Sequence, residues 1–431
     1  MLSARRLPGS GWLLGIVLVC ILGLLIVRIG MVRRNSAVFA QSVPSTLTPA
    51  DAVFANRENE FAFDLFHAVD SSAGSENSFI SPLSVAQAMT MLYDGARGAT
   101  QSEIGTGMSL GGLAGSEVDS GAGGLGAYVE HADPDVRIEV ANALWSNLSV
   151  SFQPSYQDEC EHYFGATAAS LDFNSPSAAQ TINGWASTHT HGKITSIVTP
   201  EELAQEGGVV LTDAVYFHGK WQDPFDPSQT ANQPFTLANG VVKPMPLMAQ
   251  TIDSGYVDND EFQAVRLPYG DGDTCMWIVL PKPNQSLNVI ARSATAGLWG
   301  QWTGSVSYPQ VELYLPKFHV DTDTRLDGEL ETLGIRTVFG PDADLSPMSA
   351  SPLFVSSVDH KATLDVDEKG TIATAVTTIG LAGAAEPVGP SPPPIIVRVD
   401  HPFLCVIQEN KSRAILFIGC IRDPQPETAG T

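Results

Sequence analysis

Cationic side chains are scarce in this chain. Lys and Arg number 23 against 47 Asp and Glu, a formal net charge of −24 over 431 residues. Nucleic-acid phosphates call for clustered Lys and Arg, so non-specific DNA or RNA binding is excluded, and a basic face of the heparin-binding kind is disfavoured. Cysteine is limited to five residues, none in a C-x-x-C spacing that would read as a thiolate metal centre. His189 and His191 make an H-x-H, but no third ligand stands at a fitting spacing, so no metal site is expected. No phosphate-cradling glycine loop opens a helix, so no nucleotide and no cofactor is expected. Gly107-Met108-Ser109-Leu110-Gly111 fits G-x-S-x-G, a nucleophile motif that works only as a turn from a buried strand into a helix. Gln101 to Thr106 offers no such strand, and an ordinary loop is the expectation there.

What is present is enough apolar material for a large core, with 43% hydrophobic and 16% charged residues. Leu7 to Val27 is an uncharged, mostly apolar run long enough to cross a bilayer. Arg5 and Arg6 precede it and Arg28, Arg33 and Arg34 follow, so flanking charge does not fix an orientation. Val38-Phe39-Ala40 reads as a small-residue cleavage site set far beyond the run. The expected organisation is a signal peptide or membrane anchor over 1–40, a Ser, Thr and Pro-rich linker over 41–50, one domain over 51–424 and a tail over 425–431. Either leader exports the domain, so an extracytoplasmic, secreted or membrane-tethered monomer is expected. Helical patterns run through Phe61–Phe66 and Ser84–Asp94, while Gly105 to Gly126 is rich in Gly and Ser and reads as a long irregular connection. Strand runs fall at Arg137–Ala143, Gly208–Phe217, Cys275–Leu280, Val311–Leu315, Ile395–Val399, Leu404–Gln408 and Ala414–Ile421. Interleaved strands and helices with mostly non-local pairing imply an α+β domain with large sheets. A hairpin turning near Asn410 to Ser412 would leave Cys405 and Cys420 four residues out of register, so buried free thiols are expected, with a disulfide as the alternative.

The segment from Gly370 to Pro394 has two halves. In the first, Thr371, Ala373, Ala375 and Thr377 form one small-residue face, and Ile372, Thr374, Val376 and Thr378 a β-branched one. That period of two is a strand pattern. The second half, Gly380 to Pro387 and then Gly389 to Pro394, has loop composition. A strand with a uniformly small inward face can enter between two existing strands without displacing core.

Together with Glu368-Lys369, this stretch resembles the hinge of the serpin family. Further blocks carry the same resemblance in family order: Asn77–Ser84 with Met91–Gly98, Ile182–Trp185 leading to Gly192-Lys193-Ile194, Asp213–Trp221 to Phe225, Leu315–Phe318, and His401–Leu404 to Ala414–Gly419. They span about Asn56 to Pro424. The resemblance implies a fold of three β-sheets with surrounding helices and an exposed, metastable reactive-centre loop. It implies an inhibitor rather than an enzyme, with no catalytic residues of its own. A protease cleaves the loop, forms an acyl-enzyme, and is trapped as the loop inserts into the large sheet. It also implies a hinge at Glu368, Gly370, Thr371, Ala373, Ala375 and Thr377, a "shutter" at Ser81, Ser84, Asp213 and His360, and a "breach" tryptophan at Trp221. The family usually has Asn where Asp213 stands, so Asp213 is expected to pair with a charged His360 and make sheet opening pH-sensitive.

Family spacing counted from Gly370 places the reactive bond between Ala384 and Ala385, with Leu381, Ala382 and Ala385 as alternative sites because the proline tract lengthens the loop. No Lys or Arg occurs from Thr371 to Ile396, so a trypsin-like partner lacks its anchor and an elastase-like or subtilisin-like serine protease is expected. The alternative is a non-inhibitory carrier or binding module. Thr371→Arg is expected to leave folding intact and convert the inhibitor into a substrate, the guanidinium being buried only after cleavage.

Overall fold

The computed structural model describes residues 46–371 and 392–426. The chain enters helix α1 (Pro49–Ala73) through a capping box in which Thr48 and Asp51 each bond the other's backbone N–H, with Pro49 in the first turn. It leaves at Gly74, whose φ of 61° suits glycine. Phe54, Phe61 and Leu65 form the buried stripe between. Helix α2 (Pro82–Asp94) follows strand β1 (Ser78–Ile80) and is buried on nearly every side.

Of the stretch expected as an irregular connection, Gly105 to Gly126, only residues 108–114 are non-helical; the rest belongs to helices α3 (Gly98–Gly107) and α4 (Gly115–Glu130). Glycine's poor helix propensity argued against helix, but packing overrides it. A Cβ at Gly121 would lie 2.7 Å from Phe54 Cβ, and one at Gly123 would lie 2.5 Å from the Tyr163 carbonyl oxygen. The glycines let α4 press against α1 and against α5 (Pro154–Phe164).

Among the described residues the strands form three sheets. The first, six-stranded, runs β1, β16 (Ile415–Ile421), β15 (Phe403–Glu409), β9 (Thr274–Pro281), β8 (Phe262–Tyr269) and β7 (Gly255–Asp258). Its central strands β9, β15 and β16 are buried along their whole length and anchor the core. The second, four-stranded, orders β14 (Ile395–Arg398), β10 (Gln310–Pro316), β6 (Val242–Asp253) and β5 (Ala231–Thr236). The third orders β11 (Phe318–Arg325), β12 (Val355–Asp367), β13 (Gly370–Thr371), β4 (Val209–Lys220), β2 (Val136–Asn147) and β3 (Thr167–Leu171). Helix α6 (Pro176–His189) covers the outer face of this last sheet, burying Ala178, Ala179 and Ile182 in one cluster with Val210 and Ala214.

In the β15–β16 hairpin Cys405 lies opposite Gly419, one residue from Cys420 rather than four. The turn falls at Asn410–Ser412 as expected, an irregularity at Gln408 shifts the register of the arms, and neighbouring positions point to opposite faces. Both thiols are free and buried. No helix among the described residues is long and apolar enough to cross a membrane. The Leu7–Val27 run lies outside the described residues.

Candidate functional site

The third sheet has a seam. β4 and β12 run parallel, and their direct pairing extends from Val209 to Val215 against Val355 to Ala362. Parallel neighbours this far apart in sequence are held by contacts made across the seam, not by a hairpin.

Midway down the seam His360 lies opposite Asp213, and on the other side Asn142 does. The Asp213 carboxylate is fully buried. It accepts from the Ser84 hydroxyl and from His360 Nδ1 at 2.8 Å. The Ser81 backbone N–H donates to His360 Nε2 at 3.1 Å. His360 thus donates through one nitrogen and accepts through the other, the arrangement of a neutral ring. A charged His360, expected from the sequence, would turn Nε2 into a donor facing another donor. Ser84 belongs to the first turn of α2, so the buried carboxylate also sits against the positive end of that helix. Asn142 Nδ2 reaches the Ser84 carbonyl at 3.4 Å. The sequence brought Ser81, Ser84, Asp213 and His360 into one set, and the structure places all four in contact, while Asn142 was missed.

Above Ala362 the seam parts. Gly370 and Thr371 sit in it as a two-residue strand, antiparallel to both neighbours: Thr371 opposes Val366 and Gly219, and Gly370 opposes Asp367 and Lys220. Thr371 is fully buried, and its hydroxyl bonds the Tyr269 hydroxyl at 2.8 Å. Thr371→Arg would therefore act on the uncleaved protein too, which corrects the expectation that the guanidinium is buried only after cleavage. Gly370 has a φ of 150°, and a Cβ there would lie 2.1 Å from the Gly219 carbonyl oxygen. Only glycine fits.

Trp221 braces this junction. It stacks on Tyr269 at 4.4 Å with 10° between ring planes, and its indole N–H donates to the Asp367 carbonyl at 2.9 Å. The Trp221 and Phe225 amides donate to the Lys369 and Glu368 carbonyls at 3.0 and 2.8 Å. The Glu368 carboxylate accepts from Thr230 Oγ1 at 2.8 Å and pairs with Lys317 at 3.2 Å. Burial alone would raise its pKa, yet these donors hold it below the usual range. Tyr269 and Thr230 escaped the sequence reading, because they reach the hinge only through long-range contacts and carry no local motif, while Lys317 lay in the Leu315–Phe318 block without being linked to the hinge.

Ala373, Ala375, Thr377, Ala384 and Ala385 lie outside the described residues. The chain returns at Pro392 and enters β14, the edge strand of the four-stranded sheet, parallel to β10. Ser109 follows the end of α3 with a φ of 57°, so helix, not strand, precedes the G-x-S-x-G serine. His189 and His191 face different partners, the Trp185 carbonyl and Glu139.

The family model described as Serpin (serine protease inhibitor) matches residues 56–424. The chain is a serpin. It is 32% identical to Iripin-2 of Ixodes ricinus over 382 residues, covering 86% of this chain and 93% of that one. It is 33% identical to the leukocyte elastase inhibitor of Bos taurus over 375 residues, covering 84% and 97%. Human thyroxine-binding globulin in complex with its ligand superposes with a TM-score of 0.78 at 26% identity, over 87% of this serpin and the whole of that chain. The family therefore includes proteins named as protease inhibitors and at least one named for binding a small ligand. The three-sheet α+β architecture expected from the motifs is the one this serpin has.

Proposed function

We propose that this serpin inhibits serine proteases as a suicide substrate, with Ala384–Ala385 as the reactive bond and loop insertion along the β4–β12 seam as the trap. The observation that carries this reading is the docked pair Gly370–Thr371. Were its register continued downward on insertion, Ala373 would come between Phe217 and Leu364, Ala375 between Val215 and Ala362, and Thr377 between Asp213 and His360. The small face would thus turn to the core at every step, and a hydroxyl would meet the buried carboxylate and imidazole where the entering strand parts them. A strand of about a dozen residues adds roughly a dozen backbone hydrogen bonds at ~0.5–1.5 kcal/mol each, on the order of 10 kcal/mol, enough to distort an attached protease.

The proposed roles follow: Glu368, Gly370, Thr371, Ala373, Ala375 and Thr377 as hinge, Ser81, Ser84, Asp213 and His360 as the bonds that part and re-form, and Trp221 as the brace where entry starts. An elastase-like or subtilisin-like pocket suits Ala384, since it asks only for a small apolar side chain. Export by residues 1–40, with 41–50 as tether to a 51–424 domain and 425–431 as tail, and a monomeric state belong to the same proposal. The carrier reading has the likeness to thyroxine-binding globulin behind it. The small inward face of the hinge favours inhibition.

The test is incubation with elastase-like, subtilisin-like and trypsin-like enzymes, followed by denaturing electrophoresis and mass spectrometry of the released C-terminal fragment. An SDS-resistant complex with the first two classes and a fragment beginning at Ala385 support the reading. Ala384→Arg should add trypsin to the targets and weaken the original one. A fragment beginning elsewhere retires Ala384, and cleavage without complex retires inhibition.

A further inference from the structure

The C-terminus of α2, the first half of α4 and the middle of α5 enclose a cleft of about 670 Å³. Asp94 enters it from the last residue of α2, Asp119 from α4, and Asp158 and Glu159 from α5. Among the described residues Arg97 is the only Lys or Arg that lines it. The Arg97 Nη1 donates to the backbone carbonyls of Asp94 and Ala96 at 3.1 and 2.7 Å. His162 and Tyr163 of α5 and Tyr93 of α2 complete the titratable groups on the wall. Tyr156 and Cys160 of α5 are buried beside Asp94.

Asp94 and Asp119 lie within hydrogen-bonding reach of each other. Asp119 Oδ1 is shut off from solvent, and among the described residues no donor reaches it. Asp94 ends a helix, where backbone carbonyls point outward and a negative charge is disfavoured. Two carboxylates in such contact repel, and a single proton held between them turns the repulsion into a hydrogen bond. Burial first, then the bond to Asp119 and the charges of Asp119 and Glu159, push the Asp94 carboxyl up to about 9, with Arg97 opposing. The helix held this way is weak in itself. α4 carries five glycines, the poorest helix former after proline, so outside contacts keep it in place. Gln87 Nε2 supplies one of them, donating to the Ala122 carbonyl at 3.2 Å.

We propose that Asp94 and Asp119 share one proton and so latch α4 to α2, and that losing this proton frees the helix. The inference does not depend on loop insertion. The closed latch keeps a proton that the opened chain, with an ordinary aspartate at 3.8, gives up. Opening is therefore increasingly favoured as pH climbs from about 3.8 towards 9, and gains nothing further above that. Asp158 and Glu159 share the cleft and add their repulsion once the proton has gone. The latch is firm in acid and loosens towards alkaline pH.

Hydrogen exchange on the full chain between about pH 5 and pH 9, corrected for the intrinsic amide rate, tests this. In the wild type, protection of the α4 amides should fall by up to about tenfold per pH unit, one proton leaving with each opening. Asp119→Asn puts a donor amide where the proton was, so its α4 protection should stay level across the range. Asp94→Asn makes the same replacement from the other side and should behave alike, which keeps the test alive if one variant disturbs the helix. The amides of β15 and β16 should keep wild-type protection in both, showing an intact fold. Wild-type α4 protection that ignores pH, or a slope that survives both substitutions, overturns the proposal. Protection that follows calcium or magnesium concentration instead of pH would mean that a cation joins the carboxylates, and overturns it as well.

Discussion

The decisive side chains are few. Thr371 is small enough to lie under Tyr269 and polar enough to satisfy that fully buried hydroxyl. Thr371→Val keeps the shape and removes the bond, and should cost about 1–3 kcal/mol by leaving the Tyr269 hydroxyl unpaired. Chemical unfolding of the uncleaved protein measures it. Thr371→Arg should do more, driving the hinge out of the seam before any protease arrives. A second residue-scale expectation concerns pH. His319 is raised above its usual 6.5, first by its hydrogen bond to Asp365, while burial opposes. Burial would raise Asp365, but His319 and Lys193 hold it below its usual 3.8. A raised histidine stabilises fully below 6.5 and loses its effect as pH climbs through the folded value. A depressed aspartate stabilises above 3.8 and loses its effect as pH falls through the folded value. The pair therefore contributes most between about 3.8 and 6.5. His319→Gln should lower the melting temperature across that window and matter progressively less above it; a deficit that grows with rising pH would contradict the assignment.

At the scale of elements, Gly370 decides whether β13 exists. An added Cβ meets the Gly219 carbonyl oxygen at 2.1 Å and Lys220 Cα at 2.7 Å, both backbone. Gly370→Ala should expel β13 and expose the Gly219 and Trp221 amides to exchange, while Lys220, whose amide bonds Asp135 on the other side, stays protected. Retained protection at Gly219 and Trp221 would show that the seam can absorb the methyl. Elements with strong local signatures were legible in the sequence. β12 was not among the expected strands, whereas the runs of β4, β9, β15 and β16 and the patterns inside α1 and α2 all name themselves. Helix α4 did not, because its glycines serve contacts with Phe54 and Tyr163 that only the folded state reveals. Nor did the Cys405–Cys420 offset, which depends on the register of the hairpin arms and a one-residue shift at Gln408. The four shutter residues were legible only through family resemblance. Asn142, Tyr269 and Thr230 carry no local signal at all, and Lys317, though inside the Leu315–Phe318 block, gave no sign of its link to Glu368.

For the whole molecule, the account describes a sheet built with a place for one more strand. Its seam is held at the middle by Asp213 and His360 and at the top by the docked hinge under Trp221 and Tyr269. In the proposed insertion these contacts part or are replaced as the seam fills, and the hydrogen bonds of the new strand would make the filled form the more stable one. The loop ends at two different sheets, Thr371 in the large one and Ile395 at the edge of the four-stranded one, and a cut between them frees the first half to move. Thermal unfolding before and after a single cleavage within residues 372–391 tests this most directly, with both fragments retained. The account predicts a melting temperature raised by tens of degrees, since on the order of 10 kcal/mol of new strand is gained. An equal or lower melting temperature after cleavage would mean that the loop does not insert, and would contradict the account.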